Sequence, residues 1–315
     1  MTVEFQETEK ILRNYIDVSP EDIRELDAGH INRTFLVTAG DMFVLQCLNK
    51  NLYSEHLTEL ENNYMQYIKA WRRCSGELCE WQCPEWIENR EKKYFSVDDA
   101  GRIWRLYHYI QGDVYNGDTK PDPMEAGMGL GRLHRMLMEC PKGSIKGIFR
   151  HLHDLDHYYR EYRMQDQSPR PRDRELDSII SHRYEEFKRI TVPGGNIIHG
   201  DAKIGNMIFN SGKVTGFIDL DTLTDGSCFD DMADCLRSLG ADNDEEKISR
   251  YIKGYEAGRD AALRDITVEL LTADCRRIMF MLGMRYYTDY LAGNVYFREN
   301  HPGENLEKAR RNIKL

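Results

Sequence analysis

Three polar residues around one predicted β-hairpin have the types and spacing that phosphoryl-transfer chemistry requires. The stretch 196–222 contains an apolar strand, a polar loop, and two short strands that are joined by an Asn-Ser-Gly turn at 210–212. The loop presents Asp201 and Asn206, and Asp219 ends the returning strand. One carboxylate can orient the attacking hydroxyl or take its proton, while an amide and a second carboxylate offer the hard oxygen ligands that Mg²⁺ prefers. We therefore predict Asp201 as the catalytic residue and Asn206 with Asp219 as metal ligands.

The alternative for this stretch is a polar hairpin with solvated acids, since turns favour Asp, Asn and Gly. The combined spacing favours chemistry, because an Asp, an Asn five residues later and an Asp that ends an apolar strand match the catalytic loop and metal-binding aspartate of kinases. ATP and Mg²⁺ are the cofactors this pattern predicts. A protein kinase is the least favoured kinase class, because no DFG or APE signature follows the loop.

The composition limits the other classes of function. The chain has 315 residues and a formal net charge of −10 without a basic stripe, so we expect no nucleic-acid partner. No apolar run reaches the ~18 residues of a membrane span, and the acidic N-terminus is unlike a signal peptide, so we expect no membrane partner and a cytoplasmic location. The eight cysteines are then predicted to be free thiols, and Cys74, Cys79 and Cys83 lack the spacing of a zinc site.

Hydrophobic periodicity indicates the elements that position the site. Strand patterns occur within 23–37, 41–48 and 84–109, and the chain beyond the hairpin is mostly helical. We predict an α+β fold that is bilobal and protein-kinase-like. A small antiparallel-sheet N-lobe over 1–110 would bind the nucleotide, and a larger, mainly helical C-lobe over 111–315 would carry the catalytic loop and substrate pocket. The predicted helices cover residues 5–16, 57–71, 123–138, 174–190, 245–258, 267–290 and 305–315, and a further helix begins at Cys228.

The N-lobe supplies the predicted nucleotide contacts. The turn with Gly29, His30 and Asn32 is expected to cover the phosphates, because small residues let backbone N–H groups approach them. The third strand has Gln46 where most kinases have a phosphate-binding lysine, and an amide can donate hydrogen bonds but carries no charge. Glu61 is either the helix acid that partners this side chain or a solvated glutamate. The backbone expected to meet the adenine is that of Leu106, Tyr107, His108 and Tyr109.

Two features of the predicted C-lobe carry further expectations. The helix from Pro123 contains Gly127, Gly129 and Gly131, which are costly in a helix and predict close packing against another element. The segment 147–164 is rich in His and Tyr, and its histidines are open to three interpretations: metal ligands, surface residues or substrate contacts.

The form HGDxxxxN followed by IDxD resembles the aminoglycoside phosphotransferase and choline kinase superfamily of small-molecule kinases. The flanking segments resemble its N-acetylhexosamine 1-kinase branch: the GHIN turn at 29–32, the LQ pair ending at Gln46, and the tail segment 285–297. The resemblance covers nearly the whole chain, and in this branch a glutamine at position 46 is typical. It also implies that an acid of the next helix, Asp231 or Asp234, braces the catalytic loop.

The resemblance implies transfer of the ATP γ-phosphoryl group to the anomeric hydroxyl of N-acetylglucosamine or N-acetylgalactosamine. The sugar would be bound in the helical lobe, and the expected substrate contacts are His153, Asp221, Arg285 and Asp289. Two alternatives stay open. One is a kinase of another small alcohol, such as choline, an aminoglycoside or homoserine. The other is a non-catalytic nucleotide-binding scaffold that lost the phosphate-binding lysine.

Overall fold

The computed structural model describes most of the chain, namely residues 3–17, 21–26, 31–74, 76, 80–115, 121–263, 266–297 and 299–314. Gly29 and His30, which were predicted to cover the nucleotide phosphates, lie outside these ranges, as does Cys79. Among the residues described, none of the helices combines the length and the apolar character that a membrane crossing requires.

An antiparallel sheet forms the N-terminal region. Its described strands are β1 (Asp22–Leu26), β2 (Arg33–Thr38), β3 (Met42–Leu48), β4 (Trp86–Ile87), β5 (Phe95–Val97) and β6 (Ile103–His108). They pair in the order β1-β2-β3-β6-β4, and β5 also pairs with β6. β6 has neighbours on both edges, and its residues are buried from Ile103 to Tyr107 because apolar clusters pack on the sheet: Trp104 and Leu106 lie in one cluster and Ile103 in another.

Helices cover this sheet and connect it to the rest of the chain. The helix α1 (Val3–Leu12) and the following turn pack Ile11, Leu12 and Tyr15 against Trp104 in one buried cluster. The predicted helix 5–16 therefore begins and ends earlier than its periodicity indicated. After the short α2 (Lys50–Tyr53), α3 (Leu57–Cys74) contributes its apolar face to the core of the C-terminal region.

The C-terminal region is mainly helical. Its helices are α4 (Pro123–Leu137), α5 (Leu155–Arg163), α6 (Arg174–Phe187), α7 (Cys228–Leu239), α8 (Glu245–Arg259), α9 (Val268–Ala292) and α10 (Glu304–Ile313). The short strands between them are β7 (Asp113–Val114), β8 (Asn196–Ile198), β9 (Met207–Asn210), β10 (Lys213–Phe217) and β11 (Thr224–Gly226). The predicted fold class, an antiparallel sheet followed by a larger helical part, is confirmed.

Two further strand pairings flank the predicted catalytic hairpin. The hairpin itself is β9 paired with β10, as predicted from the turn at 210–212. In addition, β7 pairs with β9, and β11 pairs antiparallel with β8. Both additional strands are too short to show a periodicity, so the sequence alone did not indicate them.

The packing of α4 against α8 depends on glycines of both helices. A Cβ atom on Gly127 would lie 2.2 Å from the carbonyl oxygen of Tyr251, and one on Gly131 would lie 2.2 Å from that of Tyr255. Gly254 and Gly258 of α8 approach the α4 backbone in the same way. The close packing predicted from the glycines of this helix is thus confirmed.

Gly254→Ala is expected to destabilise the fold without touching the catalytic loop. The new Cβ would lie 2.0 Å from the carbonyl oxygen of Met124, so the two helix backbones must move apart. Such overpacking lowers the free energy of unfolding by about 1–3 kcal/mol. Thermal unfolding monitored by circular dichroism measures the effect, and Gly194→Ala, whose nearest neighbour is 3.9 Å away, is the control. An unchanged melting temperature for Gly254→Ala would contradict the close approach.

Candidate active site

The polar loop after β8 is held in place by hydrogen bonds to the side chain of Asp231 of α7. This carboxylate is fully buried; Oδ1 accepts a hydrogen bond from the Gly200 backbone N–H (2.8 Å) and Oδ2 accepts one from that of His199 (2.7 Å). The Nε2 atom of His134 lies 2.9 Å from the same Oδ2, and its Nδ1 lies 2.7 Å from the Tyr255 hydroxyl. Burial alone would raise the pKa of Asp231, but the contact with His134, together with His199 and His153, outweighs burial and lowers the pKa. Asp231 therefore fixes the loop as an ionised brace.

The Asp201 carboxylate is held by two neighbours on its own loop. The Nζ atom of Lys203 donates to its Oδ2 at 2.7 Å, and Asn206 Nδ2 donates to the same oxygen at 3.1 Å. Burial acts to raise the pKa of Asp201, but Lys203, together with His199 and Arg237, outweighs burial and lowers the pKa to about 2. Asp201 is thus a charged group suited to orienting a hydroxyl. Sequence reasoning missed Lys203, although a lysine two residues after the aspartate was visible.

The backbone conformation and surroundings of Asp219 are those expected of a carboxylate that binds a cation. Its backbone is left-handed (φ 61°, ψ 48°), which is uncommon for a residue with a side chain and frequent at functional sites. No described residue donates a hydrogen bond to its carboxylate. Burial, followed by the negative charges of Asp221 and Asp201, raises its pKa to about 6.

The residues around Asp219 fit a divalent metal. Asn206 uses its Nδ2 for the carbonyl oxygen (2.8 Å) and the carboxylate of Asp201, which leaves its Oδ1 for a cation. The backbone N–H of Ile218 donates to the Asn206 carbonyl at 2.9 Å and so ties the two predicted ligands together. Within the described ranges, no group of three His, Cys, Asp or Glu side chains could hold a metal. Oxygen atoms of bound substrate or water would complete the ligand set of such a metal.

The opposite wall of the cleft carries a buried arginine that sequence reasoning missed. Gln46 Oε1 accepts hydrogen bonds from Nε (2.9 Å) and Nη2 (2.7 Å) of Arg105, while Gln46 Nε2 donates to the Thr34 hydroxyl at 3.2 Å. The same guanidinium donates to both oxygens of Asp221, at 2.6 and 2.8 Å. The only signal in the sequence was a charged residue inside the apolar run IWRLYHYI.

This arrangement changes two predictions. Asp221, which was expected to contact the sugar, is 3% exposed and uses both oxygens for Arg105, so the structure places it behind the cleft wall. Gln46, which was expected to contact the nucleotide, uses its Oε1 atom for Arg105 and one N–H of Nε2 for Thr34. Only the second N–H of Nε2 is left for a nucleotide. Glu61 is exposed, which fits the solvated glutamate and not the buried helix acid.

The structure shows which backbone N–H groups of the predicted adenine segment are already paired. Leu106 and Tyr107 lie within the ladder of β6, and the backbone N–H groups of His108 and Tyr109 donate to the carbonyls of Glu85 and Met42, each at 3.0 Å. These N–H groups are already used, because β6 is paired on both edges. The next backbone N–H along the connection between the lobes is that of Ile110. Asn32, predicted at the phosphate turn, accepts a hydrogen bond from the Asn49 N–H at 3.0 Å.

A small cavity of about 80 Å³ opens beside Asp201. His153 lines it, and its Nε2 lies 3.0 Å from the Gly200 carbonyl oxygen, so this histidine contacts the catalytic loop. Arg285 also lines it and lies 5.0 Å from the ring centroid of Tyr158. The remaining lining residues are Leu152, Gly200, Asp234, Arg237, Ile278, Met281 and Leu282. A larger surface cavity, of about 320 Å³, contains none of the predicted site residues.

Asp234 and Arg237 form a polar pair in the wall of this small cavity. Arg237 Nε donates to Oδ1 of Asp234 at 2.8 Å, and both side chains project from α7. The other carboxylate oxygen, Oδ2, is buried and has no hydrogen-bond partner. An unpaired buried carboxylate oxygen is costly unless a ligand donates to it.

Asp289 does not reach this cavity. Its two oxygens accept hydrogen bonds from three consecutive backbone N–H groups (2.7–2.9 Å) and from Asn305 Nδ2 (3.2 Å). Four donors saturate a carboxylate, so the expectation that Asp289 contacts the substrate is wrong for this structure. Its role is to fix the segment 295–297, whose aromatic rings lie against Arg285.

Comparisons with known proteins support the fold described above. The model of the phosphotransferase enzyme family (APH) matches residues 22–264. The GDP complex of wild-type aminoglycoside 2'-phosphotransferase-IIIa is 15% identical, and the match covers 99% of each chain with a TM-score of 0.67. A microcompartment-associated aminopropanol kinase is 18% identical, with 98% of this chain and 94% of that chain covered and a TM-score of 0.68. An amicoumacin kinase in complex with AMP-PNP and Ca²⁺ is 14% identical, with 98% and 92% covered and a TM-score of 0.63.

Proposed function

We propose that this chain, which belongs to the phosphotransferase enzyme family, transfers the γ-phosphoryl group of ATP to a hydroxyl group of a neutral sugar. The first choice of acceptor is the anomeric hydroxyl of N-acetylglucosamine or N-acetylgalactosamine. The observation that supports a neutral acceptor is the balance of charge in the small cavity beside Asp201.

Two carboxylates and two guanidinium groups line that cavity: those of Asp201, Asp234, Arg237 and Arg285. A polycationic aminoglycoside would bring several ammonium groups against the two arginines, and such like-charge contacts oppose binding. A neutral sugar meets no such penalty. Its hydroxyl or amide groups can donate to the free Oδ2 of Asp234, and its apolar face can lie on the aliphatic side chains of α9.

The reaction then divides among four side chains. Asp201 orients the acceptor hydroxyl. Because its low pKa makes the carboxylate a weak base, its main task is to position the hydroxyl, and it does not remove the proton early in the reaction. The Lys203 ammonium group, next to Asp201, is placed to neutralise charge on the transferred phosphoryl group. Asn206 and Asp219 would hold Mg²⁺, which supplies charge neutralisation at the β- and γ-phosphates when bound. Because the transition state is loose, this positioning is the main catalytic requirement.

A small amino alcohol is the second candidate acceptor. The free Oδ2 of Asp234 can accept a hydrogen bond from an ammonium group as well as from a hydroxyl group. The two arginines of the cavity oppose a cation, but a single ammonium group held by Asp234 meets less repulsion than the several of an aminoglycoside.

An ADP-release screen with phosphorus NMR of the products tests the proposal. The panel is N-acetylglucosamine, N-acetylgalactosamine, kanamycin, aminopropanol, choline and homoserine, and the expected result is turnover of a hexosamine with phosphate at position 1. Turnover of an amino alcohol without any hexosamine would establish the second candidate instead. Binding of Mg-ATP without turnover of any acceptor would establish the non-catalytic scaffold.

The same screen tests the role of Asp234. Asp234→Asn is expected to raise the KM of the sugar by about tenfold or more, because a charged hydrogen bond contributes about 1.5–3 kcal/mol, while the KM of ATP stays unchanged. Asp225→Asn, an exposed aspartate of β11, is the matched control and is expected to change neither KM. An unchanged sugar KM in Asp234→Asn would remove this residue from the acceptor pocket.

Metal binding is expected to depend on pH through Asp219. Its pKa, raised to about 6, means that the protonated form favours the fold, and this contribution is lost as the pH rises through about 6. A bound cation reverses the penalty of the ionised form, so excess Mg²⁺ with ADP should raise the melting temperature more at pH 7.5 than at pH 5. Asp219→Asn is the control for titration of the nucleotide itself and should reduce this difference. An equal shift at both pH values in the wild type would contradict the assignment.

A further inference from the structure

We propose that Arg105 and Asp221 together replace the lysine–glutamate pair that positions the nucleotide phosphates in most kinases. The replacement comes from different elements: the cation stands on β6 instead of β3, and the acid stands after the metal-binding Asp219 instead of on α3. Arg105 is therefore a positioning residue for nucleotide and metal. This inference rests on the proposed function only in assuming that ATP is the donor.

The register of the sheet makes the replacement possible. Gln46 of β3 lies directly opposite Arg105 of β6 in the antiparallel ladder, so the two side chains leave the same face of the sheet. The Arg105 guanidinium thereby occupies the space beside Gln46 and is 3% exposed. The ring of Trp86 lies 4.9 Å from its central carbon and closes the site on one side.

The contacts of Arg105 join the two lobes at the metal-binding turn. Its Nη1 and Nη2 atoms bind Asp221, which lies in the 3₁₀ turn Leu220–Thr222 that Asp219 precedes. Two further donations hold Gln46, so four of the five N–H groups are used and one on Nη1 remains for a phosphate oxygen. The position of Asp219 relative to the sheet thus depends on Arg105.

The acid that would complete the usual pair is not in place on α3. Glu61 is exposed, and no ion pair connects it to the cleft within the described residues. The carboxylate that neutralises the buried cation is instead Asp221, whose two oxygens accept hydrogen bonds from Arg105 at 2.6 and 2.8 Å. A lysine added at position 46 would therefore meet a guanidinium and no free acid.

This charge distribution gives an expectation opposite to the usual one. Gln46→Lys introduces the residue that most kinases have, yet it is expected to weaken Mg-ATP binding by tenfold or more, because the new ammonium repels Arg105 and competes for Asp221. The double variant Gln46→Lys with Arg105→Gln moves the cation from β6 to β3. We expect it to bind Mg-ATP at least tenfold more tightly than Arg105→Gln alone.

The test measures binding of Mg-ATP by calorimetry and, for the active acceptor, the KM of Mg-ATP, the KM of the acceptor and the Mg²⁺ concentration for half-maximal rate. Arg105→Gln is expected to raise both the KM of Mg-ATP and the Mg²⁺ concentration for half-maximal rate by tenfold or more. Arg105→Lys is expected to raise both quantities by a smaller factor. In both variants the KM of the acceptor should stay within twofold of the wild-type value. Arg102→Lys, on the surface before the same strand, is the control. Circular dichroism verifies that each variant is folded.

Two results would overturn the proposal. One is that Gln46→Lys binds Mg-ATP as tightly as the wild type or more tightly. This result would overturn the proposal even if Arg105→Gln does not fold, because Gln46 is only partly buried and its substitution can be tested separately. The other is a folded Arg105→Lys with an unchanged Mg²⁺ requirement and an unchanged KM of Mg-ATP. If no acceptor is turned over, the sugar-kinase proposal fails, whereas the calorimetric comparison of these variants still tests Arg105.

Discussion

Asp201→Asn is expected to lower kcat by about three orders of magnitude while the dissociation constant of Mg-ATP changes by less than about threefold. The amide cannot accept the hydroxyl proton and orients the acceptor less strongly. It also leaves the Lys203 ammonium, now 2.7 Å from a carboxylate oxygen, without its counter-charge. Nucleotide contacts on the sheet are unaffected by this change. Steady-state kinetics and calorimetric binding of Mg-ATP measure the two quantities separately.

A control distinguishes the loss of one carboxylate from a general change in charge. Asp244→Asn removes an acid that caps α8 on the surface, far along the chain from the catalytic loop, and is expected to leave kcat unchanged. A kcat of Asp201→Asn within tenfold of the wild-type value would mean that another group orients the acceptor. The metal-binding assignments of Asn206 and Asp219 would survive that result.

Asp231→Asn is expected to lower both stability and rate. The asparagine offers one acceptor where the carboxylate offers two, so one of the backbone N–H groups of His199 and Gly200 faces an NH₂ group. Breaking a fully buried, charge-assisted contact of this kind lowers the free energy of unfolding by about 3 kcal/mol. Because the same N–H groups position the catalytic loop, kcat should fall by at least tenfold at a temperature at which the variant remains folded.

The matched control for this prediction is on the same helix. Asp230 pairs with Arg277 and does not contact the catalytic loop, so Asp230→Asn should lower the melting temperature while kcat is retained at low temperature. The pH dependence gives a second check. The lowered pKa of Asp231 contributes stability at neutral pH that is lost as the pH falls below about 4, and this acid sensitivity should be weaker in Asp231→Asn. A variant that melts early but retains its wild-type rate would show that the brace acts on stability alone.

The sequence was most informative where the site is local. Asp201, Asn206 and Asp219 lie on one hairpin, so their order along the chain already brings them together. The contact of Gln46 with Arg105 depends on the register of two strands separated by 59 positions, and the contact of Arg105 with Asp221 spans 116. A single sequence contains no direct signal for either separation.

Residue types were misleading where a polar side chain has a structural task. Asp289 was predicted to contact the substrate, yet a carboxylate at the end of a long helix can also hold the next turn of chain by accepting its backbone N–H groups. Only the positions of the donors decide between these roles. Similarly, the backbone N–H groups of His108 and Tyr109 are used within the sheet because β6 is paired on both edges, which depends on the topology of the whole sheet.

The glycines that join α4 and α8 have a consequence for how this protein can evolve. In a saturation-mutagenesis library, positions 127, 131, 254 and 258 should be as intolerant as the active-site positions, although the backbone contacts there involve no substrate. In the small cavity beside Asp201, the apolar part of the wall on α9 consists of Ile278, Met281 and Leu282, which several side chains of similar size can replace. New acceptor preferences should therefore arise by substitutions on α9, while the α4–α8 pair remains constant.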